Sequence, residues 1–483
     1  MKDRKAGVLL HISSLPGPFG IGVFGEEAKQ FAEKLAAMGF HYWQILPLGT
    51  LDVGNSPYAG DSAFAGNPLF IDPRGLVKDG LVTEADAAEC IYKGSPYTAD
   101  YEFVFRTREV LLRKAFSNFC TKKAAFCELA EEIAQFEKEQ PWLTKYAQYK
   151  AQKNGKASDA LEMQYVVFVQ YLFFKQWQEI KRCVNAKGIK IIGDMPIYVA
   201  MDSCDVWADP SLFQLDPETG KPVQIAGVPP DYFSEDGQLW GNPLYDWKEM
   251  AARGYDWWRE RIAYALQLYD VLRIDHFRGL AEYWAVPADA ESAKEGHWED
   301  GPGMALFDAL RDVYEDGELI AEDLGVFGEK VTDLLRETGV SGMRVVQFGF
   351  DESKNSTHLP HRYPENCVAY VGTHDNNTLL GWLWEASAEE RAFALRYCGF
   401  RGENWGEGGR NSSSCRAIIE TVWRSAARIV MISVQDMCGF GSDTRMNIPG
   451  VGEGNWRYRI DQNTIDGIDA DYFAEINEVF GRK

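Results

Sequence analysis

Four short apolar runs in this chain end in carboxylates. Asp194 closes KIIGD, Asp275 closes VLRID, Glu322 and Asp323 end LIAED, and Asp375 ends CVAYVGTHD. A single acid in such a place serves often enough as a helix cap or as half of an ion pair. Four strand ends carrying acids around one rim point instead to a pocket. The chemistry that needs paired carboxylates and little else is glycoside cleavage, in which one acid protonates the departing sugar oxygen and an ionised partner attacks or stabilises the anomeric carbon. In VLRIDHFRGL, starting at Val271, alternation puts Arg273 and Asp275 on one face and Leu272 and Ile274 on the other. Arg273 is expected to lower the pKa of Asp275 and keep it ionised as a nucleophile. Glu322, preceded by Leu319, Ile320 and Ala321, is expected to hold its proton in a less polar setting. The two must face each other across one cleft, with about 5 to 5.5 Å between carboxyl groups, for displacement and return on the same side of the sugar.

The elements that would hold these acids are eight β-branched runs: GVLLHIS from Gly7, YWQILPL from Tyr42, KIIGDMP from Lys190, VLRID from Val271, LIAED from Leu319, MRVVQ from Met343, CVAYVGTHD from Cys367 and IVMISVQ from Ile429. Helical stretches separate most of them. Ala28, Phe31, Leu35 and Met38, for example, repeat with helical spacing until Gly39. Eight such units predict an α/β fold, a closed (β/α)8 TIM barrel whose chemistry gathers at the strand ends. With 483 residues, 46% of them hydrophobic, and no repeat or linker, residues 1–483 are expected to form a single catalytic domain. Two connections are too long to be simple: a mainly helical insertion over 51–165 after the second strand, and a Gly-, Pro- and Trp-rich loop over 200–255 after the third, expected to cover the substrate.

The formal charge of −22 repels phosphate backbones and anionic lipid, so neither nucleic acid nor membrane is an expected partner. No apolar run nears the roughly 20 residues of a membrane helix, and the start MKDRKAGVLLHISS reaches a histidine too soon for a secretory core, which suggests a cytoplasmic chain. Nine cysteines without a C-x-x-C pair suit reduced thiols. Cys120 and Cys127 are expected to pack from one buried helix face. GIGVFG from Gly20 satisfies a dinucleotide-binding pattern, but Pro16 and Pro18 separate it from its strand and no acid for a ribose ends the next one. His358 and His361, around Pro360, make a poor metal pair. Most of the 15 tryptophans belong in a core, and Trp240, in a polar loop, is the better candidate for stacking on sugar.

Several blocks in order carry a resemblance: SSLPGPFGIG from Ser13, WQILPLG from Trp43, SPYAGDSAFAGNP from Ser56, IIGDMPIYVAMDSCDVW from Ile191, GVPPDYFSEDGQLWGNPLY from Gly227, RIDHFRG from Arg273, AEDLG from Ala321, GTHDNNT from Gly372, and RMNIPG with NWRYR near the end. In these the chain resembles the 4-α-glucanotransferases of glycoside hydrolase family 77, also called amylomaltases or disproportionating enzymes. The resemblance implies that Asp275 is the nucleophile of a covalent glucosyl-enzyme, Glu322 the general acid and base, and Asp375 a third acid that holds sugar hydroxyls. It makes Arg273, His276 and His374 pocket residues, and Ser56, Tyr58, Asp194, Trp240 and Asn447 glucan contacts. It further implies α-glucan substrates (maltodextrin, or chains derived from starch or glycogen), net retention, and neither metal nor organic cofactor. A plain α-glucan hydrolase of the α-amylase type would use the same acids. What distinguishes transfer is the acceptor, a sugar 4-hydroxyl in place of water, and the loop Gly227 to Tyr245 is the expected shield. Glu403 to Cys415 finds no match in the family pattern.

Overall fold

The computed structural model describes residues 4–230, 236–315, 317–325, 328–351 and 353–483. Eight parallel strands close into a barrel: β1 (Lys5–Leu9), β2 (Tyr42–Gln44), β3 (Lys190–Met195), β4 (Val271–Ile274), β5 (Leu319–Ala321), β6 (Ser341–Val345), β7 (Cys367–Tyr370) and β8 (Ile429–Ser433). They pair in chain order around the ring, and β1 joins β8 to complete it. The fold is the (β/α)8 barrel expected from the eight runs.

Period-two alternation decides what fills the barrel. Ile192, Val271, Ile320, Met343, Val345, Val368, Tyr370, Ile429 and Met431 form one buried cluster, the inward-facing set of β3 to β8. One step further along the same inward columns the residues turn polar: Asp194 above Ile192, Arg273 above Val271, Glu322 above Ile320. The opposite faces of the strands pack on the surrounding helices. The 27-residue helix Ala160–Ala186 leads into β3, and its fully buried Trp177 donates an indole N–H to the Leu268 carbonyl at 2.9 Å. The end of the chain closes the N-terminal face of the barrel: Arg482, fully buried, donates to the carbonyls of Trp423, Ser425 and Ala427.

Between β2 and β3, ahead of that long helix, lie the helices Tyr101–Thr121, Cys127–Glu139 and Pro141–Lys153 with two shorter ones. The segment after β3, expected as one long loop, contains strands Gln224–Val228 and Gln238–Pro243. They form an antiparallel four-stranded sheet with Glu282–Pro287 and His297–Asp300, which follow β4. Residues 231–235 of the expected shield lie outside the described residues. Gln224–Val228 and Glu282–Pro287 pair across more than fifty residues without a local signal, and Gly227, Gly237 and Gly241 dilute the pattern of the local pair.

Two smaller expectations resolve on packing. Cys120 and Cys127 do not share a helix: Cys120 lies in Tyr101–Thr121, while Cys127 opens the next helix and is exposed. Lys123–Ala125 form a separate 3-10 turn that breaks the period between them. The glycines of GIGVFG answer to chain packing, since a Cβ on Gly22 would stand 1.9 Å from the Ile12 carbonyl oxygen. Gly193 is as crowded, because a Cβ there would meet the Tyr269 ring at 2.1 Å. Gly193→Ala should therefore lower stability by about 1 to 3 kcal/mol through overpacking against a rigid ring. Denaturant unfolding measures it, and an unchanged midpoint would contradict it.

Candidate active site

The acids meet because of register. Asp194 of β3 pairs with Arg273 of β4, and Ile274 pairs with Ala321 of β5. The next residues, Asp275 and Glu322, therefore leave the barrel at one level. The ladder continues through them: Asp275 N–H donates to the Met195 carbonyl and Glu322 N–H to that of Ile274, both at 3.0 Å. Arg273 sits beneath with its side chain 3% exposed. Its Nη1 lies 2.7 Å from both oxygens of Asp194 and 2.9 Å from Asp275 Oδ1. The Asp194 carboxylate is completely covered and also accepts the Tyr58 hydroxyl at 2.7 Å. It thus cannot be the glucan contact expected from the sequence; it neutralises Arg273 and orients Tyr58.

Glu322 is held by backbone. Its Oε1 accepts the Leu324 N–H at 2.8 Å and its Oε2 the His276 N–H at 2.9 Å. His276 reaches that position in the left-handed region, φ +50°, a conformation costly for a residue with a Cβ and found where surrounding contacts impose it. On the far side, Asp375 Oδ1 accepts from Asn447 Nδ2 at 2.6 Å. The Tyr58 hydroxyl lies 2.8 Å from His374 Nε2. Because that hydroxyl donates to Asp194, the proton on His374 is assigned to Nε2, which also faces Asp375 Oδ2 at 3.3 Å. The Tyr58 and His374 rings stack at 5.3 Å, and Trp456 backs both, at 5.6 and 5.9 Å. Two small spaces flank this stack, one lined by His11, His374 and Asp436 and one by Tyr58, Asp194 and Tyr269.

Burial sets the electrostatics. It raises Asp275 well above the usual carboxylate range; Arg273 opposes this, and Asp194, Glu322 and Asp375 add to it. Asp275 still presents 28% of its side chain to the cleft, so water offsets part of the rise. The lowered pKa expected for Asp275 does not hold, because burial outweighs Arg273, whose charge is also divided with Asp194. Glu322 is raised as well, by burial first, against Arg273 and the N–H groups of Leu324 and His276. The two carboxyls therefore compete for a proton instead of being pushed to opposite sides. Burial lowers His276 to about 4 and lowers His374 too, so both imidazoles are neutral near pH 7.

A family model described as 4-alpha-glucanotransferase, glycoside hydrolase family 77, matches residues 10–161 and 152–464. The chain is 40% identical to a 4-alpha-glucanotransferase of Clostridium butyricum, over 98% of this chain and 100% of the relative. It is 42% identical to one of Thermus thermophilus, over 95% of each. An amylomaltase of Streptococcus agalactiae, solved in complex with acarbose, superposes with a TM-score of 0.92 at 38% identity, covering 99% of both chains. The chain belongs to glycoside hydrolase family 77.

In this family 77 chain the remaining expected residues divide into two sets. Trp240, 37% exposed on the strand Gln238–Pro243, lies edge-on to His276 at 4.8 Å, so the antiparallel sheet delivers an indole to the rim. Ser56 stands one step back: its hydroxyl accepts the Tyr58 N–H at 3.2 Å and shapes that loop. Asp323 turns out of the cleft to accept from Met343 N–H and pair with Arg344. His358 Nδ1 accepts the Val345 N–H, and His361 bonds the Tyr397 hydroxyl, so neither is a ligand pair. Two residues that the sequence did not single out join the cluster from the far end of the chain, Trp456 against the Tyr58–His374 stack and Arg445 against Asp375. RMNIPG and NWRYR contain them, but no spacing connects these motifs to acids that lie 70 residues or more earlier in the chain.

Carboxyls raised above their unfolded values favour the folded state below about pH 4 and lose that contribution as pH rises through the raised values. Glu322→Gln cannot ionise and keeps an oxygen to accept one of the two N–H groups. Its Tm should exceed that of the wild type at about pH 8, and the gap should narrow toward about pH 4. Differential scanning at both values checks this, and a gap that widens in acid would reverse the sign.

Proposed function

We propose that this chain moves α-1,4-glucan segments between maltodextrins by double displacement through a covalent glucosyl-Asp275. The observation that carries the reading is the pairing of Asp275 and Glu322 at one barrel level above a single buried guanidinium. The direct ion pair of Arg273 goes to Asp275, so of the two competing carboxyls Asp275 is the ionised nucleophile and the shared proton resides on Glu322. Asp275 attacks the anomeric carbon, the glycosidic C–O bond breaks, and the Glu322 proton passes to the departing 4-oxygen. The sugar 4-hydroxyl of an acceptor then attacks the glucosyl ester, Glu322 takes its proton back, and the new bond has the original configuration.

The surrounding groups suit an uncharged substrate. Asp375, with Asn447 on one oxygen, holds sugar hydroxyls on the face opposite Glu322 and favours positive charge at the anomeric carbon. The neutral His276 and His374 offer N–H donors without adding a cation that would oppose that charge. Trp240 supplies an aromatic face for the apolar side of a glucose ring, and its sheet shields the ester from water. The buried thiols of Cys90, Cys204, Cys367, Cys398, Cys415 and Cys438 fit a reducing cytoplasm, where maltodextrins from starch or glycogen would be met.

Maltotriose as sole substrate should yield glucose together with oligomers longer than itself; chromatography that finds only shorter products would make the chain a hydrolase. Glu322→Gln should lose roughly 10²- to 10⁴-fold in turnover with its fold intact by circular dichroism. Asp275→Asn should abolish the trapped glycosyl-enzyme in mass spectrometry of a quenched reaction, and a normal covalent yield would assign the nucleophile elsewhere.

A further inference from the structure

Asp375 does not stand at the end of a regular strand. β7 stops at Tyr370, and Asp375 lies five residues on, in a turn where Thr373 N–H and Oγ donate to Asn376 Oδ1 and Asp375 N–H donates to Thr373 Oγ1. Those bonds shape the turn without tying it to the rest of the barrel. Gln347 Nε2 holds the flanking Val371 and Asn377 carbonyls and Tyr58 meets His374, while Asp375 itself is tied by the loop after β8. Asn447 N–H donates to the His374 carbonyl at 3.1 Å and Asn447 Nδ2 to Asp375 Oδ1 at 2.6 Å. Arg445 binds both halves of this contact: its Nη2 donates to the Asp375 carbonyl at 2.5 Å and its Nε to the Asn447 carbonyl at 2.7 Å. The base of Arg445 is fixed in turn, because its N–H closes the 3-10 turn Ser442–Thr444 on the Ser442 carbonyl and Gln435 Nε2 holds the Thr444 carbonyl.

We infer that Arg445 is a positioning residue for the transfer reaction. Its planar fork fastens the Asp375 turn to the Asn447 turn and so sets where the Asp375 carboxylate meets the sugar. The geometry uses the fork more than the charge. Two carbonyls on different segments are each met by a separate N–H of one rigid plane, which a lysine ammonium on a flexible stem cannot reproduce. Without the fork, the Asp375 side chain would be held by His374 Nε2 at 3.3 Å and by the Asn447 amide, whose backbone had lost one of its anchors. A carboxylate that must stabilise charge in the transition state acts through position, and a shift of about 1 Å lowers turnover by roughly 10²-fold.

The inference rests on the reading of Asp375 as a catalytic acid, so the experiment includes Asp375→Asn. Maltotriose disproportionation is followed by glucose release for the wild type, Arg445→Lys, Arg445→Ala and Asp375→Asn, with circular dichroism and Tm on each. Arg445→Lys and Arg445→Ala should both lose roughly 10²-fold in kcat, while KM for maltotriose stays within about threefold, and guanidinium at low millimolar concentration should restore part of the activity of Arg445→Ala but not of Asp375→Asn. Arg445→Lys within about threefold of wild-type kcat, or a loss confined to KM, would overturn the inference, since a bare charge or a ground-state contact would then suffice. Failure of Arg445→Ala to fold leaves Arg445→Lys, which keeps stem and charge, to decide by the same criterion. Normal turnover of Asp375→Asn would overturn the catalytic reading of Asp375 itself, a result distinct from failure at Arg445.

Discussion

A guanidinium inside a barrel has no water to turn to, and Arg273 occupies that position. Removing an ion from water costs several kcal/mol even after relaxation, and pairing returns that only when the geometry is good and the remaining bonding capacity is used. Arg273 meets the requirement with two acids: Asp194, sealed beside it on β3, and Asp275, one inward step above it just past the end of β4. Much of the site follows from this. Asp194 must stay covered, Tyr58 must cap its second oxygen, and the hydroxyl of Tyr58 then fixes which nitrogen of His374 carries hydrogen. A positive charge below the cleft also favours ionisation of the carboxyl it touches directly, Asp275.

The same cluster explains why the rim carries strain. Glu322 is kept in place by N–H groups, and one of them comes from a residue in the left-handed region, His276. Trp456, behind the Tyr58–His374 stack, also has positive φ, at +66°. It is secured at both ends, its N–H on the Met446 carbonyl and its carbonyl receiving the Tyr101 hydroxyl at 2.7 Å. Two unfavourable backbone conformations and two carboxyls raised by burial all lie within one cleft. Each opposes folding, and the rigid barrel, with its interior apolar cluster and surrounding helices, supplies the stability that holds them.

Legibility in the sequence followed the range of the interaction. The barrel strands were readable because an inward column repeats every two residues, and VLRID displays both the apolar step and its polar continuation. Asp275 and Glu322 were readable for the same reason, being the residues just past those columns. The sign of the pKa shift at Asp275 was not, because it depends first on burial inside the assembled barrel and then on Asp194, 79 residues from Arg273 in sequence, claiming the same guanidinium. Contact by Asp194 with glucan failed on the same point: a strand-end position shows that a residue faces the pocket but not whether a neighbour covers it. The antiparallel sheet is hidden in the sequence because its two local strand pairs are joined into one sheet only across β4, and glycines interrupt the pattern of the first pair.

Residues from the end of the chain were the least visible and are among the most tightly tied. Closure of the barrel brings β8 beside β1 and β7, so the loop after β8 falls next to the Asp375 turn by topology alone. Nothing in RMNIPG or NWRYR encodes that neighbour. A similar tie runs outward: Ala99 N–H donates to the Arg457 carbonyl, Arg459 N–H to the Tyr97 carbonyl, and Thr98 bridges Tyr458. The foot of the helical segment between β2 and β3 thus holds the strand-like stretch that places Trp456. That segment anchors an aromatic wall on which Tyr58 and His374 rest. A barrel whose acids come from β3, β4, β5 and the turn after β7 gains its last constraints from the two parts of the chain, early insertion and late loop, that its regular strands cannot supply.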